Sequence, residues 1–131
     1  MADASYPEDL LYHAEHDWAR LDPQDPGQAT LGITWYAQDS LGEIVFFDPP
    51  KRGSSATKDS AYTEVESVKA VSDVIAPLSG EIIEVNETLA DSPEKINEDP
   101  YGEGWLVRIS LSDPSEIEAL MDAAAYEATL D

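Results

Sequence analysis

Residues 61–85 hold three β-rich runs separated by two very short connections. In residues 62–68, tyrosine, threonine and valine stand among acids; residues 71–76 and 81–85 repeat the pattern with Val71, Val74, Ile75, Ile82, Ile83 and Val85. Only Lys69 and Ala70 stand between the first two runs, and only Pro77, Leu78, Ser79 and Gly80 between the second and third. Connections this short join hairpin neighbours, so they commit the centre of the chain to a β-meander.

The flanks agree. Residues 10–12 and 18–21 read as short strand pieces. Pro23, Pro26 and Gly27 mark a turn, and residues 29–34 return as the partner of 18–21. Residues 35–41 form a short helix stopped by Gly42, and residues 43–47 a strand. Residues 48–60 read as a loop, 90–104 as turn-rich, and 105–111 as the last strand. Asp113 and Pro114 open a C-terminal helical segment over 113–131, with Ile117, Leu120, Met121, Ala124, Tyr126 and Leu130 as its apolar stripe. The sum is a mostly β chain, a small barrel or sandwich with short helices and a terminal helix. Its 131 residues fit one domain, 1–131, with residues 1–9 as a flexible N-terminus.

Composition narrows the function classes. The 28 acids against 7 Lys and Arg give a net charge of −21, a field that opposes nucleic acid and anionic membranes. The acids are spread along the chain, which favours adaptation to a salty cytoplasm over a local docking surface, and the two are compatible. Lys51, Arg52 and Lys58 lie in the 48–60 loop, either as solvated surface or as a contact for an acidic partner edge. There is no long apolar run to span a membrane, and the acidic N-terminus does not resemble a signal or transit peptide, so a cytoplasmic location is expected. With no cysteine and two histidines, His13 and His16, no nucleophile–base pair or metal cluster is visible; catalytic and metal residues are expected to be none.

Lys69 is the one lysine of four placed at a tight connection between strands. A hairpin tip fixes the root of a side chain while leaving its end free, and an amine can form an amide with a carboxylic-acid cofactor. A lysine there is also ordinary soluble surface, and position alone leaves both readings open.

The run Val65-Glu66-Ser67-Val68-Lys69-Ala70-Val71-Ser72-Asp73-Val74 closely resembles the lipoylation motif of glycine cleavage H proteins. Residues 77–86, 97–106, Gly32-Ile33-Thr34, Tyr36-Ala37-Gln38 and 41–46 match too, in the family's order, from about Leu10 to Leu130. The resemblance implies a flattened β barrel, the barrel-sandwich hybrid of lipoyl and biotinyl domains. It implies lipoate on Lys69, within a motif that includes Glu66, Ser67, Val68 and Ala70. Val68 and Ala70 flank the lysine where biotin carriers usually have methionines.

The resemblance also implies a shuttle rather than an enzyme. A pyridoxal-phosphate glycine decarboxylase loads the arm with an aminomethyl group. A tetrahydrofolate-dependent aminomethyltransferase unloads it, and dihydrolipoamide dehydrogenase (FAD, NAD) reoxidises it. Lipoylating enzymes, which Glu66 helps to recognise the site, attach the arm. A lipoyl relay to other complexes is the alternative; a pure acidic binding module is a third class. Asp17 stands where the family has Glu, and Asp73 follows the lysine; both are candidates to hold the loaded cationic arm. Asp59 and Thr63 stand where the family tends to have glycines.

Overall fold

The computed structural model describes residues 6–130. Among the described residues, nine strands form two antiparallel sheets. The larger has the order β1 (Leu11–His13), β2 (Asp17–Leu21), β3 (Gln28–Ile33), β9 (Val107–Leu111), β8 (Gly80–Val85), β5 (Ser55–Ala56). The smaller has β4 (Ile44–Asp48), β6 (Ala61–Ser67) and β7 (Val71–Ile75). Between them lies one apolar core that takes Leu31, Ile33, Ile82 and Ile109 from the first sheet and Ile44, Phe47, Val65 and Val74 from the second. The flattened two-sheet body is the expected barrel-sandwich architecture. No helix among the described residues is long and apolar enough to cross a membrane.

The expected hairpin of 18–21 with 29–34 is β2 on β3, and its register sets Trp18 opposite Gly32. That pairing has a packing cause. A Cβ on Gly32 would stand 2.5 Å from the Trp18 indole, so the ring lies flat across a partner with no side chain. The indole N–H donates to the Pro100 carbonyl at 3.1 Å, and the Arg20 guanidinium covers the ring. The helix expected at 35–41 is α1 (Trp35–Leu41). Thr34 caps its start by accepting from the Ala37 N–H, and Gly42 ends it at φ 81°.

Several expectations are corrected. The 48–60 loop contains β5, which pairs with β8 through Ser55↔Glu81 and Ala56↔Gly80. The turn-rich stretch holds two single-turn helices, α2 (Thr88–Asp91) and α3 (Lys95–Glu98), each burying one apolar residue, Leu89 and Ile96. The last strand begins at Val107, not at 105. The terminal helix is not continuous. A 3-10 helix (Pro114–Ala119), capped by Asp113 as expected, stops at an extended Leu120. Met121 then exchanges both backbone hydrogen bonds with Tyr12, and Asp122 caps a separate α4 (Ala123–Ala128). The break rotates the stripe, so Ala123 and Tyr126 are buried and Ala124 is exposed. Of the expected flexible start, residues 1–5 lie outside the described residues. Tyr6 packs on Tyr12 and Tyr126, and the Pro7 carbonyl accepts from the Tyr12 hydroxyl.

Candidate functional site

Lys69 stands at the tip of the β6–β7 hairpin, in a connection of three residues, Val68 to Ala70. The tip is built from the sequence around it. The Ser67 N–H donates to the Ala70 carbonyl at 2.8 Å. The buried Ser67 hydroxyl oxygen accepts from the N–H groups of Lys69 (3.3 Å) and Ala70 (3.1 Å). Val68 N–H donates to the Glu43 carbonyl, which straps the tip to the start of β4. The backbone under Lys69 is therefore held on both sides, while the side chain is exposed. Among the described residues its Nζ makes no hydrogen bond or ion pair, although Lys58, Lys95 and Arg108 all do.

Beneath the tip the support continues inward. The Lys69 Cε lies 3.7 Å from where a Gly42 Cβ would be, so the lysine stem runs over the end of α1. Asn97 ties that end down. Its amide N–H groups donate to Gln38 Oε1 and the Gly42 carbonyl, both at 2.9 Å, and its Oδ1 accepts from Ile44 N–H at 2.8 Å. Asn97 and Gln38 were no part of the candidate site read from the residues one by one. Their only sequence signal is the family resemblance, which spans Tyr36-Ala37-Gln38 and residues 97–106.

Alongside α1 lies a cleft of about 160 Å³, lined by Glu15, His16 and Asp17 before and within β2, by Tyr36 and Ser40 of α1, and by Ser72 and Asp73 of β7. Asp17 is 2% exposed, which corrects any view of it as a surface acid. Its Oδ2 is buried and has no hydrogen-bond partner among the described residues. Burial pushes its carboxyl well above the usual range, and Glu15 adds to the rise. The half-buried Tyr62 ends in a buried hydroxyl that also lacks a partner among the described residues, its pKa raised by burial and by Asp17. His16 adopts φ 73°, shares a 2.7 Å hydrogen bond with the Tyr126 hydroxyl and packs its ring on Tyr36. Burial lowers its pKa, so the imidazole is neutral at pH 7. The structure thus brings Asp17 and Asp73 to the lining of one cleft that runs along α1 as far as Leu41, with Lys69 standing over Gly42 just beyond it. Seven helical residues span about 10 Å.

Asp59 and Thr63 take up the glycine positions in different ways. Asp59 keeps a left-handed φ of 71°, bonded to His13 Nε2 at 2.7 Å, and that bond with Lys58 holds its carboxyl below the usual range. The Thr63 hydroxyl donates to the Asp48 carbonyl. Of the loop cations, Lys58 pairs with Asp59 and Arg52 donates to the Ile83 carbonyl.

A bare amine on a pinned hairpin, beside an acidic cleft in a flattened two-sheet body, defines a carrier domain of the lipoyl type. The comparisons make this specific. The glycine cleavage H-protein family model matches residues 10–131. A glycine cleavage system H protein from Halorhodospira halophila is 53% identical over 121 residues, 92% of each chain. One from Escherichia coli is 48% identical over 128 residues, 98% of each. The crystal structure of a glycine cleavage system H protein from Mycobacterium marinum superposes with a TM-score of 0.85 at 37% identity, covering 95% of this chain and 98% of that one. The chain belongs to the glycine cleavage H-protein family.

Proposed function

We propose that this chain is the lipoyl-bearing shuttle of the glycine cleavage system, a single non-catalytic cytoplasmic domain with lipoate amide-linked to Lys69. The observation that carries this reading is the exposed Lys69 amine, without an ion pair among the described residues, on a backbone pinned by Ser67 and Val68. The surroundings fit the group. The tip leaves the amine accessible, and the cleft along α1 offers an unpartnered buried carboxylate oxygen.

When bound, the lipoyl disulfide supplies reversible acceptance of an aminomethyl group and of electrons. The protein's own residues then have separate tasks. Lys69 roots the arm, and Ser67 keeps that root in place. Asp17 and Asp73 offer negative charge to the cationic end of a loaded arm, and the buried position of Asp17 strengthens that attraction relative to water. A cation beside Asp17 opposes the rise that burial causes, so docking of the loaded arm favours the ionised carboxylate. Glycine decarboxylase, the aminomethyltransferase and dihydrolipoamide dehydrogenase hold the reacting groups. The tether raises the arm's effective concentration at each of them.

The test is glycine-dependent loading by the purified decarboxylase, followed by mass analysis of the peptide containing Lys69. The lipoylated protein gains an aminomethyl group there. Lys69→Arg gains none and keeps its stability within about 0.5 kcal/mol, as for an exposed side chain with no partner. A lipoylated protein that is not loaded would speak for the relay role instead.

A further inference from the structure

Two buried side-chain polar atoms among the described residues have no hydrogen-bond partner, Asp17 Oδ2 and the Tyr62 hydroxyl. The fold brings them into one region. In the β1–β2 ladder His13 stands opposite Asp17. His13 Nε2 also bonds Asp59 at 2.7 Å, in the connection that leads into β6 and Tyr62. Tyr62 packs against the core that contributes Val65 and Val74 to the wall of the Asp17 cleft. Burial first and the Asp17 charge second keep the Tyr62 hydroxyl protonated, so the two groups lie within electrostatic reach of each other.

Folded proteins leave few such atoms unpaired, because each forfeits a bond it had in water. Here two of them stand together at an acid that lines the cleft, and a local rule broken at a site of function points to use there. The other tyrosines near Asp17 are engaged elsewhere. The Tyr126 hydroxyl bonds His16 at 2.7 Å and Thr34 at 2.9 Å. Tyr36 is 37% exposed and lays its ring on His16. Tyr62 alone among them has a buried donor to spare.

We propose that Tyr62 is a positioning residue for the loaded arm, its hydroxyl donating a hydrogen bond to the ionised Asp17 carboxylate once the arm's cation is docked in the cleft. The inference rests on the lipoyl-carrier reading above. Protonated Asp17 is a weak acceptor. Docking a cation favours the carboxylate, the Asp17 proton passes to bulk water, and Tyr62 keeps its own proton. A hydrogen bond to an ionised acceptor is about twice as strong as a neutral one, so the donor is drawn to Asp17 when the cation is present. The arm without its load carries no cation, gains no such bond and stays free for the next partner. Tyr62 thus acts through Asp17, favours the loaded arm over the unloaded one, and touches no reacting atom. Besides Tyr62, the titratable groups around Asp17 are His13 opposite it, Glu15 and His16 beside it in the chain, Tyr36 of α1, Asp73 of β7 and Tyr126 of α4.

The experiment uses the lipoylated full chain, loaded from glycine by the purified decarboxylase, with NMR titration of the Asp17 carboxyl before and after loading. In the parent the Asp17 pKa falls on loading. In Tyr62→Phe, the same ring without the hydroxyl, it falls less, and more of Asp17 stays protonated at neutral pH. A second readout is spontaneous loss of the load without the transferase. Water takes it off as formaldehyde and ammonium and leaves the free thiol, and this needs an unprotonated nitrogen, so a nitrogen held as a cation is lost slowly. Tyr62→Phe speeds the loss about five- to tenfold, as for a lost hydrogen bond to a charged group. Asp17→Asn speeds it at least as much, and Tyr62→Phe adds nothing on top of Asp17→Asn. If the parent is loaded and Tyr62→Phe matches it in both the titration and the loss, the role of Tyr62 is overturned while the carrier reading stands. If Tyr62→Phe speeds the loss equally with and without Asp17→Asn, the effect does not pass through Asp17 and the proposal is overturned. Should Tyr62→Phe melt below the parent, the titration in the folded protein decides: a smaller fall on loading supports the proposal, and the parent's full fall overturns it. If the decarboxylase never loads the parent, the shuttle reading fails and takes this proposal with it.

Discussion

Asp17 places one carboxylate oxygen in a buried position with no donor among the described residues, and the Tyr62 hydroxyl shares that condition. Each has a measurable consequence. The folded chain favours the protonated form of Asp17, so above its ordinary value of 3.8 the folded state holds a proton that the unfolded state has lost. This group's contribution to stability is full below pH 3.8 and falls as pH rises through the window up to its raised value. Asp17→Asn therefore melts higher than the parent near neutral pH, and the gain disappears on acidifying below about pH 4, as paired thermal scans will show. Tyr62→Phe removes an unsatisfied hydroxyl and stabilises by about 1 kcal/mol in urea unfolding. A loss of stability there would mean that the hydroxyl has a partner in solution. Lys69 was legible in the sequence because a two-residue gap between β runs is a local signal and the surrounding motif is specific. The burial of Asp17 was not. An aspartate beside a histidine in a chain with 28 acids reads as surface, whereas in the fold β1 and β3 flank it in the sheet and α1 and β7 line the same cleft.

The same contrast holds for the elements. α1 could be read to the residue because Gly42 ends it, and the φ of 81° there is one that glycine adopts freely. The β2–β3 hairpin was legible from its turn. The β3–β9 and β8–β9 pairings were not, since no local turn links β3 to β9 and the residues between β8 and β9 form α2 and α3. The C-terminal helix was overread because Ile117, Leu120 and Met121 keep helical spacing, while the decisive event is a distant one, the capture of Met121 by Tyr12. Two substitutions test elements rather than single contacts. Gly32→Ala drives a methyl group into the Trp18 indole and costs about 1–3 kcal/mol, seen as a lower urea midpoint with an unchanged slope. Ser67→Ala removes the acceptor shared by Lys69 and Ala70 N–H groups. It costs about 1 kcal/mol and speeds amide hydrogen exchange at the hairpin tip without changing it in β2 or β3.

At the scale of the whole molecule, two sheets close over one core and leave a surface with a formal charge of −21. Self-repulsion of that size opposes the compact state, and added salt screens it over about 3 Å at 1 M. Raising KCl from low to molar concentration therefore lifts the melting temperature by several degrees, equivalent to about 1–2 kcal/mol. A melting curve indifferent to KCl would contradict the salt-adaptation reading of the acids. The barrel-sandwich body itself matters to function mainly as a rigid mount. β6 and β7 hold the tip, Asn97 locks the end of α1 beneath it, and the cleft lies along the same helix. A carrier role requires the amine at that tip to bear the cofactor. Intact-mass and peptide mass analysis of the protein purified from its own cells measures this directly: a lipoyl increment on the peptide containing Lys69 is the predicted result, and natively produced protein lacking it, or carrying it on Lys51, Lys58 or Lys95, would contradict the account.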